Sequence, residues 1–217
     1  MIGSRQEMLG RITAALDGAE RAPAPGRRHG AVTSSPDVAA LFVERVEDYR
    51  AVVERVAPAG VAAAVADALA GTGQVVVPPG LPRDWLAADG VDVVTDDGGL
   101  AADDLDRIDA VVTAAAVGVA TTGTIVLDHG PDQGRRALSL VPDLHVCVVH
   151  ESQLVGDVPE SITRLRDAVV GGRPLTWISG PSATSDIELE RVEGVHGPRR
   201  LHVLLVSDGD STPRARA

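Results

Sequence analysis

Hydrophobic positions recur first at intervals of three and four and later gather into short unbroken runs, and this change of rhythm divides the chain. Between Ser4 and Leu16, the side chains of Met8, Leu9, Ile12 and Leu16 fall on one face of a helix that Ser4 can cap. Gly18 to Ser35 is rich in Ala, Pro, Gly and Arg, has little to bury, and reads as a linker. Helical spacing resumes from Asp37 to Val56, with a stripe of Val38, Leu41, Phe42, Val46, Tyr49 and Val53. A further helix is expected from Val61 to Ala70, stopped by Gly71.

Beyond Gly71 the runs become strand-like. Gln74–Pro78, Val91–Thr95, Ala110–Thr113, Thr124–Leu127, Leu144–His150, Leu175–Ser179 and Leu201–Val206 are the expected strands. Arg83–Ala88, Ala101–Arg107 and Ile162–Val170 are the expected helices between them. Strands that are continuously apolar, rather than alternating, are buried on both faces. The expected fold is therefore α/β, with a mostly parallel sheet and helices on both of its faces. The expected division is a helical arm and linker over 1–70, the α/β domain over 71–207, and a frayed tail over 208–217.

Composition narrows the chemistry. The 217 residues, 44% hydrophobic, suffice for one domain with a substantial core. Only Phe42, Tyr49, Trp85 and Trp177 are aromatic, so that core is aliphatic. All 20 basic residues are arginine, which excludes Schiff-base chemistry and the lysine of a phosphate-binding P-loop. Against 31 acidic residues they leave a net charge of −11, which argues against nucleic acid or an anionic membrane as partner. Arg135-Arg136 and Arg199-Arg200 could still form local basic patches. Cys147 stands alone, so the chain can supply neither an intrachain disulfide nor the four thiolates of a cluster or an all-cysteine zinc site. No signal-peptide core and no run of about 18 apolar residues is present, and a cytoplasmic protein without a membrane span is expected. No metal or cofactor is expected.

Two hydroxyl-rich turns remain as candidate chemistry. Around Gly123, Thr121, Thr122 and Thr124 could converge with backbone amides on a small anion, or could simply close a hairpin. The second turn follows the strand ending at Ser179, where Gly180 allows close backbone approach and Ser182, Thr184 and Ser185 offer donors. Asp186, Glu188 and His196 are the candidate catalytic residues, as acid/base groups or a proton shuttle. Alternatively, the hydroxyls cap a helix beginning near Thr184 with Asp186 in its first turn, itself an anion site. His145 and Cys147 share a strand face but are too few for a zinc site, and a buried Cys147 with a hydrogen-bonded His145 is expected.

Thr122-Gly123-Thr124, Ser139-Leu140-Val141-Pro142-Asp143, Ile178-Ser179-Gly180-Pro181-Ser182 with Asp186-Ile187-Glu188, and Gly194-Val195-His196-Gly197-Pro198 together resemble the LUD-domain family, in the family's order. The likeness runs from about Val75 to Val206 and is weaker over the N-terminal helices. It implies a fold similar to the sugar-phosphate isomerase and CoA-transferase superfamily. It also implies a place in a three-component bacterial system that oxidises L-lactate to pyruvate, in which sister subunits carry the iron–sulfur clusters. Relatives often carry an acidic residue where this chain has Thr121. The expected function is a non-redox accessory subunit whose strand-end pocket, built from Thr122, Gly123, Thr124, Ser179, Gly180, Ser182 and Thr184, takes a small carboxylate or phosphate. The alternatives are a stand-alone isomerase or acyl/CoA-transferase using the Ser179–Glu188 loop, and a regulatory ligand-binding module.

Overall fold

The computed structural model describes residues 4–18, 37–87, 89–185, 191–193 and 197–209, with the backbone alone at 183–185 and 191–193. The chain divides into two compact units, Met1–Gly30 and Ala31–Ala217. The first contains α1 (Ser4–Leu16), whose apolar stripe of Met8, Leu9, Ile12 and Leu16 is exposed. The second contains everything else described.

That unit opens with α2 (Val38–Asp48), capped by Asp37, whose carboxylate accepts from the Ala40 amide at 2.8 Å. The helix expected to reach Val56 stops at Asp48, because Arg50 turns the chain through the left-handed region at φ 66°. Residues Val52–Val56 are instead strand β1, an assignment that β-branched Val52, Val53 and Val56 favour. Then come α3 (Val61–Ala68), β2 (Gln74–Val77), β3 (Asp92–Thr95), the short α4 (Ala102–Leu105), β4 (Ala110–Ala114), β5 (Val117–Val119), β6 (Thr124–Leu127) and β7 (Leu144–His150). The chain continues with β8 (Leu154–Val155), α5 (Val158–Arg164), α6 (Arg166–Val170), β9 (Thr176–Ile178), β10 (Ala183–Ser185), β11 (Arg191–Glu193) and β12 (Arg200–Val206). The helix expected over Ile162–Val170 is thus two short ones, broken at Leu165.

Six strands form one sheet in the order β1-β12-β7-β4-β2-β3, with every pairing parallel. Each parallel return needs a long crossover, and the helices supply it while covering both faces. On one face α3 and its capping residue Leu69 bury Val61, Ala64, Val65 and Leu69 against Val75, Val112, Val146, Val148 and Leu204. On the other, Phe42 and Val46 of α2 meet Cys147, Val149, Val203 and Leu205, while Leu105 of α4 packs with Val76 and Val111. Because α2, β1 and α3 belong to this unit, the boundary expected at residue 70 falls inside it.

Two expected strands are not in the main sheet. A second sheet runs β8-β5-β6-β9, with β6 antiparallel to both β5 and β9. Only Ala120–Gly123 separates β5 from β6, too short a link for a parallel crossover. This sheet lies between layers, with Ile125 and Leu127 facing the α2 side and Val117, Val119 and Val126 packing with Leu165. The complete burial of β5 and β6 is why β6 looks, in sequence, like a member of the parallel sheet. No helix among the described residues is long and apolar enough to cross a membrane.

Candidate functional site

The β6–β9 pairing places the two hydroxyl-rich turns side by side. Ile125 lies opposite Ile178, so one step along the antiparallel register sets Thr124 against Ser179. Their hydroxyls are 2.8 Å apart, and Thr124 Oγ1 is also 2.8 Å from Thr122 Oγ1. Thr122, Thr124 and Ser179 therefore form one hydrogen-bonded chain, with Thr124 buried at its centre and Ser179 exposed at its end.

Both glycines in these turns are required by geometry. Gly123 has φ 57°, and a Cβ there would lie 2.6 Å from the Arg45 carbonyl of α2. Gly180 has φ 84°, and its Cβ would collide with Tyr49 at the end of the same helix. The C-terminal half of α2 and its capping residue Tyr49 thus pack closely against both turns.

Around Ser179, Thr176, Trp177, Gly180 and Ser182 line a cavity of about 310 Å³ together with Arg136 and Ser139. The Ser182 amide donates to the Pro198 carbonyl at 2.8 Å, tying this segment to Gly197-Pro198. Arg136 is exposed, and its guanidinium has no partner among the described residues. A chain of net charge −11 thereby presents, at a hydroxyl-lined cavity, a cation with no partner among the described residues, which suits a small anion.

The other expected residues fare differently. Thr184 lies on β10, which pairs antiparallel with β11, so the helix expected to begin there does not form. The strand pairing takes the backbone groups that a capped helix would have offered to an anion. Asp186, Glu188 and His196 lie outside the described residues. The strand that ends at Ser179 runs in the smaller sheet, so the cavity beside it is not at the carboxyl edge of the parallel one.

His145 and Cys147 sit in the core. His145 Nε2 is 2.8 Å from Thr113 Oγ1, and burial lowers the imidazole pKa from 6.5 to about 4, so it is neutral. Burial likewise pushes the Cys147 thiol up to about 12.

A neighbouring segment, Asp128–Arg136, had no motif to mark it in sequence beyond its turn-forming composition and the Arg135-Arg136 pair. His129 is held at φ 55°, with Nδ1 2.7 Å from the Gly134 carbonyl and Nε2 2.8 Å from Thr176 Oγ1. A carbonyl only accepts, so Nδ1 carries the proton; in the neutral ring Nε2 accepts from Thr176. Arg135 clasps the buried Asp96 carboxylate at 2.7 and 3.2 Å and donates to the Leu100 carbonyl. Burial would raise the Asp96 pKa, but the Arg135 hydrogen bond and charge, with the Gly98 and Leu100 amides, hold it below the usual carboxylate value. Asp128 pairs with Arg173 at 3.0 Å.

The family profile described as LUD domain matches residues 35–206. Lactate utilization protein C of Deinococcus radiodurans is 48% identical over 203 residues, covering 94% of this chain and 95% of that protein. Lactate utilization protein C of Bacillus subtilis is 34% identical over 101 residues, covering 45% of this chain and 42% of that protein. A crystal structure of a DUF162 family protein from Deinococcus radiodurans superposes with a TM-score of 0.69 at 45% identity, covering 78% of this chain and 96% of that one.

Proposed function

The chain belongs to the LUD-domain family, and from that premise we propose that it is a non-redox accessory subunit of a bacterial system oxidising L-lactate to pyruvate. The observation that carries this reading is the near full-length similarity to a relative named for lactate utilization. In this reading the protein is cytoplasmic, and its partners are the iron–sulfur sister subunits, which perform the electron transfer. The cavity beside Ser179 and Ser182 takes a small carboxylate or phosphate, with Arg136 opposite as the charge partner and the Thr122–Thr124–Ser179 hydroxyl chain as its support.

A lactate-grown deletion strain, with a plasmid-borne copy as control, tests the physiological part. Impaired growth on L-lactate restored by the plasmid is expected, along with co-purification of two cysteine-rich proteins. Unimpaired growth of the deletion strain would end the proposal. Asp186, Glu188 and His196 remain candidates for proton transfer, each tested by alanine substitution in the complemented strain.

A further inference from the structure

β2 and β3 are parallel neighbours at one end of the six-stranded sheet. Here the ends of β2 and β3 open into a depression of about 420 Å³, lined by Pro79, Asp97, His129, Pro131, Pro174 and Arg136. Three prolines give it apolar walls. Its remaining wall is rigid: the Gly80 amide donates to the Pro131 carbonyl at 2.9 Å and the Ala114 amide to the Asp132 carbonyl at 3.0 Å. The Asp128 amide donates to Gln133 Oε1 at 2.7 Å, and Asp96 is locked to Arg135. A wall pinned in this way needs little ordering when a ligand enters.

This depression adjoins the cavity beside Ser179. Arg136 lines both. The partition between them is the His129–Thr176 hydrogen bond, with His129 facing the crevice and Thr176 facing the cavity. Arg135 is engaged by Asp96 and Leu100 through Nε and Nη2, whereas the Arg136 guanidinium is without a partner among the described residues and lines both spaces.

We infer that the two spaces form one bipartite site for an extended organic anion, with its carboxylate or phosphate against Arg136 and its apolar body between the prolines of the crevice. This goes beyond the small-anion reading and shares only Arg136 and the hydroxyl-lined cavity with it. A three-carbon acid fills a small part of the combined space, whereas sites of several hundred Å³ match ligands with a substantial apolar portion. The charge is recognised at the rim and the body is desolvated in the crevice, the division of labour typical of small-molecule pockets.

Calorimetric titration of the full chain with two pairs of probes tests this: inorganic phosphate against phenyl phosphate, and L-lactate against 3-phenyllactate. The phenyl-bearing member of each pair is expected to bind tighter by about tenfold or more, from burial of the ring. Asp97→Phe, which adds bulk to the crevice from an exposed turn, should abolish that advantage and leave the short probes unchanged. Pro174→Phe provides a second crevice-filling variant should the first be unfolded by its melting curve. Arg136→Gln should weaken every probe that binds. Equal affinities within each pair would overturn the bipartite site while leaving the small-anion reading intact, and so would a phenyl advantage that survives both crevice-filling variants. Binding of only the phenyl probes, lost in Arg136→Gln, would uphold the bipartite site and remove the small-anion reading. Binding of no probe would overturn both.

Discussion

Acidification from about pH 7.5 to about pH 5 should destabilise this protein through His145. The imidazole, carried on β7, is fully enclosed, its Nε2 bonded to Thr113 of β4, and its pKa falls from 6.5 to about 4 because the charged form cannot be solvated there. In the unfolded chain the same ring takes up its proton near 6.5, so between these values the unfolded state binds more protons than the native one. The contribution to stability is complete above about pH 6.5 and is lost as the pH falls toward the native value. Linkage gives a loss of about 2 kcal/mol at pH 5 and a ceiling of about 3 kcal/mol at lower pH. Urea unfolding of the wild type and of His145→Gln, which keeps a hydrogen-bonding group near Thr113, measures it across the range. The variant will carry its own pH-independent cost, so the quantity read is the difference between the two slopes. His202, also lowered by burial, titrates in both proteins and cancels from that difference. Parallel loss of stability in the two proteins would refute the reasoning, since it would mean that the native core accommodates His145 in its charged form.

Three further substitutions have definite expectations. Gly123→Ala places a Cβ 2.6 Å from the Arg45 carbonyl at a left-handed φ, and should cost about 2 kcal/mol or more, read as a melting-temperature drop of several degrees. Arg135→Leu strands the buried Asp96 carboxylate, and denaturant unfolding near neutral pH should show a loss of about 2 kcal/mol, discounted for the partial exposure of Arg135. In that variant the penalty should shrink at acid pH, where Asp96 can protonate. Arg136→Gln, by contrast, should leave the melting temperature within about a degree of wild type, because the guanidinium is exposed and has no partner among the described residues.

The parallel sheet was legible because runs such as Val75–Val77, Val111–Val112 and Val203–Val206 are apolar at every position, which only two-sided burial explains. Strand β1 was not, since Val53 continues the three-and-four spacing of α2 and nothing in the hydrophobic pattern marks Arg50 as a left-handed break. Strands β6 and β9 are legible as strands, but their sheet is not: fully buried β6 has the same apolar signature whether its neighbours run parallel or antiparallel, and β9 is a half-exposed edge strand. The meeting of Thr124 with Ser179 was legible as two hydroxyl-rich turns. Its cause, the β6–β9 register, was not. His129, Asp96 and Arg135 carried no spacing signal at all. Asp96 and Arg135 lie 39 positions apart and His129 and Thr176 lie 47 apart, so only the fold makes them neighbours.

Cys147 lies in the middle of β7, flanked in register by Thr113 of β4 and Val203 of β12, and has no exposed surface. An alkylating reagent can reach its sulfur only after the central strands separate, and the high thiol pKa leaves almost no thiolate until they do. The sole cysteine is therefore a built-in clock for the opening of the sheet. Its labelling rate, compared with that of a small free thiol, converts into the free energy of that opening without any engineered probe.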